Sequence, residues 1–270
     1  MTATGLTCRI EGTPAAPAVL FCHGFLGRGE DWRPVVERIG EGRRCLLVDL
    51  PGHGDSGPER VVGPWTIGAT AAALIDLLDR ETVEQCDLVG YSMGGRLALY
   101  TALRYPRRVR RLLLESASPG LESDAARADR RERDDRLAAA LETTPLGDWL
   151  AAWYDQPLFA ATLSAAQRAA MIAARMDNEP PWLARSLREM GTGSQPSLWA
   201  ELADLAVPTL VVVGEHDRKY RDIAAMMATR SAMIHVSEIP GAGHNVHAER
   251  PDAFRELLHE YLLKDQTSTD

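Results

Sequence analysis

Short apolar runs that end in glycine-rich clusters recur along this chain. Ala18-Val19-Leu20-Phe21-Cys22 leads into His23-Gly24-Phe25-Leu26-Gly27, and Cys86-Asp87-Leu88-Val89 leads into Gly90-Tyr91-Ser92-Met93-Gly94-Gly95. Thr209-Leu210-Val211-Val212-Val213 ends in Gly214-Glu215-His216-Asp217, and Met233 to Ile239 ends in Pro240-Gly241-Ala242-Gly243-His244. Apolar, β-branched runs of this length bounded by turn residues predict short buried strands. Arg96 to Tyr105 predicts a helix stopped at Pro106. A different pattern fills the middle of the chain. Leu137-Ala138-Ala139-Ala140-Leu141, Trp149 to Tyr154 and Gln167 to Arg175 predict helices, punctuated by Pro180-Pro181 and Pro196. The expected layout is a core of residues 1–118 and 199–270 with a helical cap, 119–198, inserted after a strand. The polar end, 265–270, is expected to be disordered. No internal repeat is visible.

The glycine clusters carry the candidate chemistry. Gly90-Tyr91-Ser92-Met93-Gly94 fits G-x-S-x-G, a sharp strand-to-helix turn that exposes a serine. Small neighbours let the two backbones approach closely there. A serine hydroxyl is a weak nucleophile or base at neutral pH. It needs a histidine to take its proton and a carboxylate to orient that histidine. Asp217 and His244 follow in the order Ser, Asp, His, each in a loop past a predicted strand, where sites of open parallel sheets lie. Ser92, Asp217 and His244 are therefore the candidate triad. Backbone donors for an oxyanion are expected from Met93, next after the serine, and from Phe25, in the loop after the early strand. His23 and His53 are expected to brace backbone. The His216 side chain is expected to point elsewhere. His235 and His259 read as ordinary strand and helix positions, and His247 is a candidate for touching the pocket.

Bulk properties narrow the choice. At 270 residues the chain is long enough for one α/β domain with a sizeable core. A formal net charge of −8 argues against nucleic-acid or anionic-membrane partners. Cys8, Cys22, Cys45 and Cys86 lack metal-ligand spacing and read as small buried apolar residues in or beside strands. No stretch approaches the ~20 apolar residues of a membrane span, and Met1 to Gly12 lacks an apolar leader, so no membrane insertion and a cytoplasmic location are expected. No metal site is expected.

From end to end the chain resembles the α/β-hydrolase-fold superfamily. The supporting motifs are HGF at 23–25, DLPGHGDS at 49–56, GYSMGG at 90–95, GEHD at 214–217 and GAGH at 241–244. That resemblance implies a mostly parallel central sheet flanked by helices, with a helical cap. Finer features resemble one family in it, the 2-succinyl-6-hydroxy-2,4-cyclohexadiene-1-carboxylate synthases of menaquinone and phylloquinone biosynthesis. These are HGFLGRGEDW (23–32), GYSMGGR (90–96), SPGL (118–121), the arginine-rich stretch Arg127 to Arg136, WYDQPLF (153–159) and MGTGSQPSLW (190–199). The resemblance implies a cofactor-free lyase that eliminates pyruvate from a small anionic substrate with three carboxylates. Arg96, one helical turn past Ser92, is a substrate-binding candidate on position and resemblance together. Arg130 and Arg175 are candidates on the resemblance, and Tyr91 and Trp153 are candidate pocket walls. Arg127, Arg131, Arg133 and Arg136 alternate with acids and read as a solvated helix face. Two other readings remain open from sequence: a serine hydrolase of an ester, thioester or C–C bond, and a small-molecule receptor on the same fold.

Overall fold

A computed structural model describes residues 5–39, 42–160 and 162–263; the polar end, 265–270, lies outside them. Seven strands form one sheet: β1 (Cys8–Gly12), β2 (Ala18–Cys22), β3 (Arg44–Val48), β4 (Cys86–Tyr91), β5 (Val109–Glu115), β6 (Thr209–Gly214) and β7 (Ile234–Ile239). Their spatial order is β1-β3-β2-β4-β5-β6-β7, with β1 antiparallel to β3 and all other pairings parallel. β2, β4 and β6 are buried at every residue, as strands covered on both faces must be, whereas the edge strands β1 and β7 carry exposed positions.

The helices follow in chain order: α1 (Arg33–Ile39), α2 (Ile67–Arg80), α3 (Met93–Arg104), α4 (Asp124–Thr143), α5 (Leu146–Tyr154), α6 (Pro157–Ala160), α7 (Ala165–Arg175), α8 (Pro180–Met190), α9 (Arg218–Arg230), α10 (Val246–Glu249) and α11 (Pro251–Leu263). Alternate residues of the strands feed two cores. Leu20, Leu46, Leu88, Leu112 and Val211 pack with residues of α2, α3 and α9 on one face. Val19, Phe21, Leu47, Leu113 and Val212 pack with residues of α1 and α11 on the other. A third cluster belongs to the segment between β5 and β6. Leu141, Trp149, Leu150, Tyr154, Phe159, Leu183 and Leu187 bury one another there together with Leu26.

Two local features differ from the sequence reading. The helix after the serine begins at Met93, not Arg96, because Gly94 and Gly95 fit into its first turn. Leu137–Leu141 is only the last part of α4, a 20-residue helix whose charged N-terminal part is capped by the Ser123 hydroxyl and braced by Arg130–Asp134 and Arg136–Glu132 pairs. Pro180-Pro181 separates α7 from α8, as read, and opens α8, since proline at a first helical turn removes only an N–H that would be unpaired. Among the described residues no helix is long and apolar enough to cross a membrane.

Candidate active site

The turn from β4 into α3 holds Ser92 at φ 49° and ψ −105°, a left-handed backbone that costs a non-glycine residue energy. The turn is tight. A Cβ on Gly94 would run into the Cys22 and His23 carbonyl oxygens, so strand, loop and helix meet there only without a side chain. The Ser92 N–H donates to the Glu115 carbonyl at 2.8 Å, which fixes the turn to β5.

The ends of β4, β6 and β7 bring Ser92, Asp217 and His244 together. His244 Nδ1–H donates to Asp217 Oδ2 at 2.6 Å, which leaves Nε2 to accept from Ser92 Oγ at 3.1 Å. Asp217 also caps α9 by accepting the Tyr220 N–H. The loop carrying His244 is fastened on both sides by Glu249, whose two carboxylate oxygens accept the Gly243 N–H (2.7 Å) and the Asn245 N–H (3.0 Å). Rings pack around the imidazole: Tyr220 at 4.6 Å, Tyr91 at 5.5 Å and Phe159 at 5.8 Å between centroids.

Phe25 and Met93, the residues of the two expected backbone donors, line the same pocket as Ser92. The Leu26 N–H goes to His53 Nε2 and the Gly27 N–H to the Gly24 carbonyl, while the Phe25 and Met93 N–H groups have no partner among the described residues. His23 and His53 brace this loop as expected. His23 Nε2 accepts the Leu50 N–H and its Nδ1–H donates to the Gly24 carbonyl; His53 Nδ1–H donates to the Pro51 carbonyl. Burial holds both imidazole pKa values below the usual histidine value, so both stay neutral.

A cavity of about 490 Å³ opens over Ser92, walled by the sheet's loop ends below and by α4 to α8 above. Tyr91, Phe25, Met93 and Trp153 line it, with Trp153 stacked on Trp149 and edge-on to Phe25. Cations dominate its charged lining: Arg96, Arg130, Arg133, Arg175, Arg218 and Lys219 against Asp31 and Asp217. Arg175 is committed to Asp31, with contacts of 2.7 and 2.8 Å. Burial works against its charge, but Asp31 and Tyr154 together more than offset this and hold its pKa above the usual arginine value. Arg130 shares its Nε with Asp134 at 2.8 Å. Among the described residues Arg96 hydrogen-bonds to neutral groups alone, the Gln195 Oε1 at 2.6 Å and the Met190 carbonyl at 3.0 Å. Burial pulls its pKa down to about 10, which still leaves it charged at neutral pH.

Several positions depart from the sequence reading. Arg133 lines the cavity, because α4 turns that side of its charged face over the site. Arg127 donates to the Leu121 and Glu122 carbonyls and Arg131 to the Gly193 carbonyl, so both tie α4 to neighbouring chain, while Arg131, Arg133 and Arg136 are exposed as a solvated face requires. His216 is exposed at the cavity rim, with its N–H donating to the Ala242 carbonyl. His247 reaches the cavity wall too, while its N–H and Nδ1–H both donate to buried Glu115 and its ring stacks on Trp32. Lys219 was missed. It lies two residues past Asp217 in the first turn of α9, which carries it to the same rim; burial and then Arg130 lower its pKa. Among the described residues no cluster of three or more His, Cys, Asp or Glu is placed to hold a metal ion.

The α/β hydrolase fold family matches residues 17–251 of the chain. The 2-succinyl-6-hydroxy-2,4-cyclohexadiene-1-carboxylate synthase of Serratia proteamaculans (strain 568) is 37% identical over 254 residues, which cover 94% of this chain and 96% of that protein. The protein of the same name from Citrobacter koseri is 38% identical over 256 residues, covering 93% and 96%. Among solved structures, MenH from S. aureus superposes with a TM-score of 0.90 at 31% identity, covering 99% of this chain and all of that one.

Proposed function

The chain belongs to the α/β hydrolase fold family and, within it, to the 2-succinyl-6-hydroxy-2,4-cyclohexadiene-1-carboxylate synthases, and we propose that it catalyses the reaction of that family. The reaction is a lyase step of menaquinone and phylloquinone biosynthesis. It eliminates pyruvate from 2-succinyl-5-enolpyruvyl-6-hydroxy-3-cyclohexene-1-carboxylate and leaves the 2,4-diene.

The chemistry follows from the acidity of the C–H beside the succinyl ketone. Ser92 Oγ takes that proton as its own passes to His244 Nε2, and Asp217 stabilises the imidazolium that forms. The electron pair moves onto the ketone oxygen, where the Phe25 and Met93 N–H groups hold the developing charge without having to reorganise. The enolate then collapses through the ring double bond and expels the C5 oxygen as enolpyruvate. A proton returned from His244 by way of Ser92 completes pyruvate and resets the relay. No cofactor is required. In this reading residues 119–198 form a cap over a core of 1–118 and 199–270, and Arg96, Arg130 and Arg175 meet the substrate carboxylates while Tyr91 and Trp153 wall the ring. The four cysteines are free, which supports a reducing compartment such as the cytoplasm.

One observation carries the reading: the Ser92–His244–Asp217 relay opens into a cavity whose buried Arg96 forms no ion pair with a carboxylate among the described residues. A hydrolase of neutral esters has no use for that cation. The test supplies the enolpyruvyl substrate and a short-chain ester side by side. Stoichiometric pyruvate with little ester cleavage is expected; efficient ester cleavage without pyruvate would make the protein a serine hydrolase.

A further inference from the structure

The segment MGTGSQPSLW (190–199) runs behind Arg96, and its contacts are specific. The Leu198 N–H donates to the Pro119 carbonyl at 2.8 Å, and Trp199 Nε1–H donates to the Gly120 carbonyl at 2.9 Å. Gly120 has φ 93°, and a Cβ there would press on Gln195 Nε2. The SPGL turn after β5 and this segment are thus locked together, and the lock sets Gln195 against α3. Gln195 is 1% exposed and Arg96 7%. Gln195 Oε1 and the Met190 carbonyl take one N–H from each terminal nitrogen of Arg96. The amide can face Arg96 only with its oxygen, since a guanidinium donates and never accepts.

The choice of a neutral acceptor stands out among the cavity's arginines. Arg175 answers Asp31, and Arg130 answers Asp134, each a carboxylate. Arg96 has no carboxylate within ion-pair distance among the described residues, although a buried cation without countercharge is costly. Glutamate would fill the space of Gln195, accept the same hydrogen bond and neutralise the charge. The arrangement also leaves Gln195 Nε2 buried without a partner. The fold therefore carries two electrostatic costs at this point, and an acid at 195 would remove the first of them.

We propose that Gln195 is a specificity-determining residue: it aims Arg96 at the cavity while keeping the arginine's charge uncompensated, so that only an anionic substrate completes the pair. This rests on the reading that Arg96 receives a substrate carboxylate, and it adds why that arginine remains available. Gln195 is a positioning residue, acting through Arg96.

Two substitutions separate this role from plain packing. Gln195→Glu keeps shape and hydrogen bond and cancels the charge. Gln195→Met keeps approximate volume, removes the acceptor and leaves the charge. If Gln195 only packs, the isosteric Glu variant is the milder of the two. The proposal requires the opposite order in KM. For the enolpyruvyl substrate, Gln195→Glu should raise KM by roughly 10–100-fold with kcat changed much less, and Gln195→Met should raise it by under ~10-fold. Thermal melting should show the Glu variant folded at least as stably as the Met variant. A KM for Gln195→Glu equal to or below that of Gln195→Met overturns the inference, as does an equal loss on a neutral ester. Failure of the unsubstituted protein to release pyruvate would instead overturn the proposed reaction, and the two failures are read from different lanes of the same assay.

Discussion

Removing the Arg96 side chain distinguishes a carboxylate partner from a structural strut. Arg96→Ala takes a charged hydrogen-bond donor from an anion, a loss of about 1.5–3 kcal/mol, so kcat/KM for the enolpyruvyl substrate should fall roughly 10–100-fold. Arg96→Lys should restore part of it, because an ammonium lacks the planar fork. Steady-state kinetics on this substrate and on a neutral ester check the point; equal losses on both would mean that Arg96 only supports the turn. At this scale the sequence was most informative where chemistry is tied to a local turn. Ser92, Asp217 and His244 each follow a predicted strand in a glycine-rich loop, so their meeting at 2.6 and 3.1 Å was legible before any coordinates. Gln195, Arg133 and Lys219 were not. Their place on the site depends on how α4, α8 and the 190–199 segment pack across it, and no local pattern encodes that.

The β4–α3 turn is the element on which the site depends most. Gly94→Ala would drive a Cβ into two carbonyl oxygens of the β2 loop, the same loop that presents the Phe25 N–H. Backbone there has no flexible end to yield, so a loss of about 1–3 kcal/mol and a melting temperature lower by several degrees are expected, together with reduced activity. An unchanged melting curve would show that the turn has slack that the geometry does not suggest. Elements with a strong period were legible: β2 falls on Ala18–Cys22 as read, and β6 and β7 differ from their readings by one residue at one end. The N-terminal part of α4 was not, because its residues are nearly all charged and carry no apolar stripe; its helix is held by capping and by i,i+4 ion pairs on two different sides.

For the whole molecule, the mostly parallel sheet flanked by helices was legible only through resemblance, and the strand order was not legible at all, since neither follows from any single segment. One global property follows from buried histidines. His23 and His53 resist protonation inside the fold, whereas an unfolded chain protonates them near pH 6.5. Below that pH the unfolded state binds more protons, so their contribution to stability is complete above about pH 6.5 and is lost as pH falls beneath it. Melting temperature measured from pH 8 to pH 5 should decline on the acid side; a flat or rising profile would contradict neutral histidines in the 23–27 and 49–56 loops. The central claim is that a hydrolase scaffold here runs an elimination with Ser92 as the proton acceptor. Its most direct measurement is pyruvate released from the enolpyruvyl substrate by the wild-type protein and by Ser92→Ala, with folding checked by circular dichroism. Wild type should release one pyruvate per substrate, and the variant should be at least ~10³-fold slower. Near-normal pyruvate release by a well-folded Ser92→Ala protein would contradict that claim.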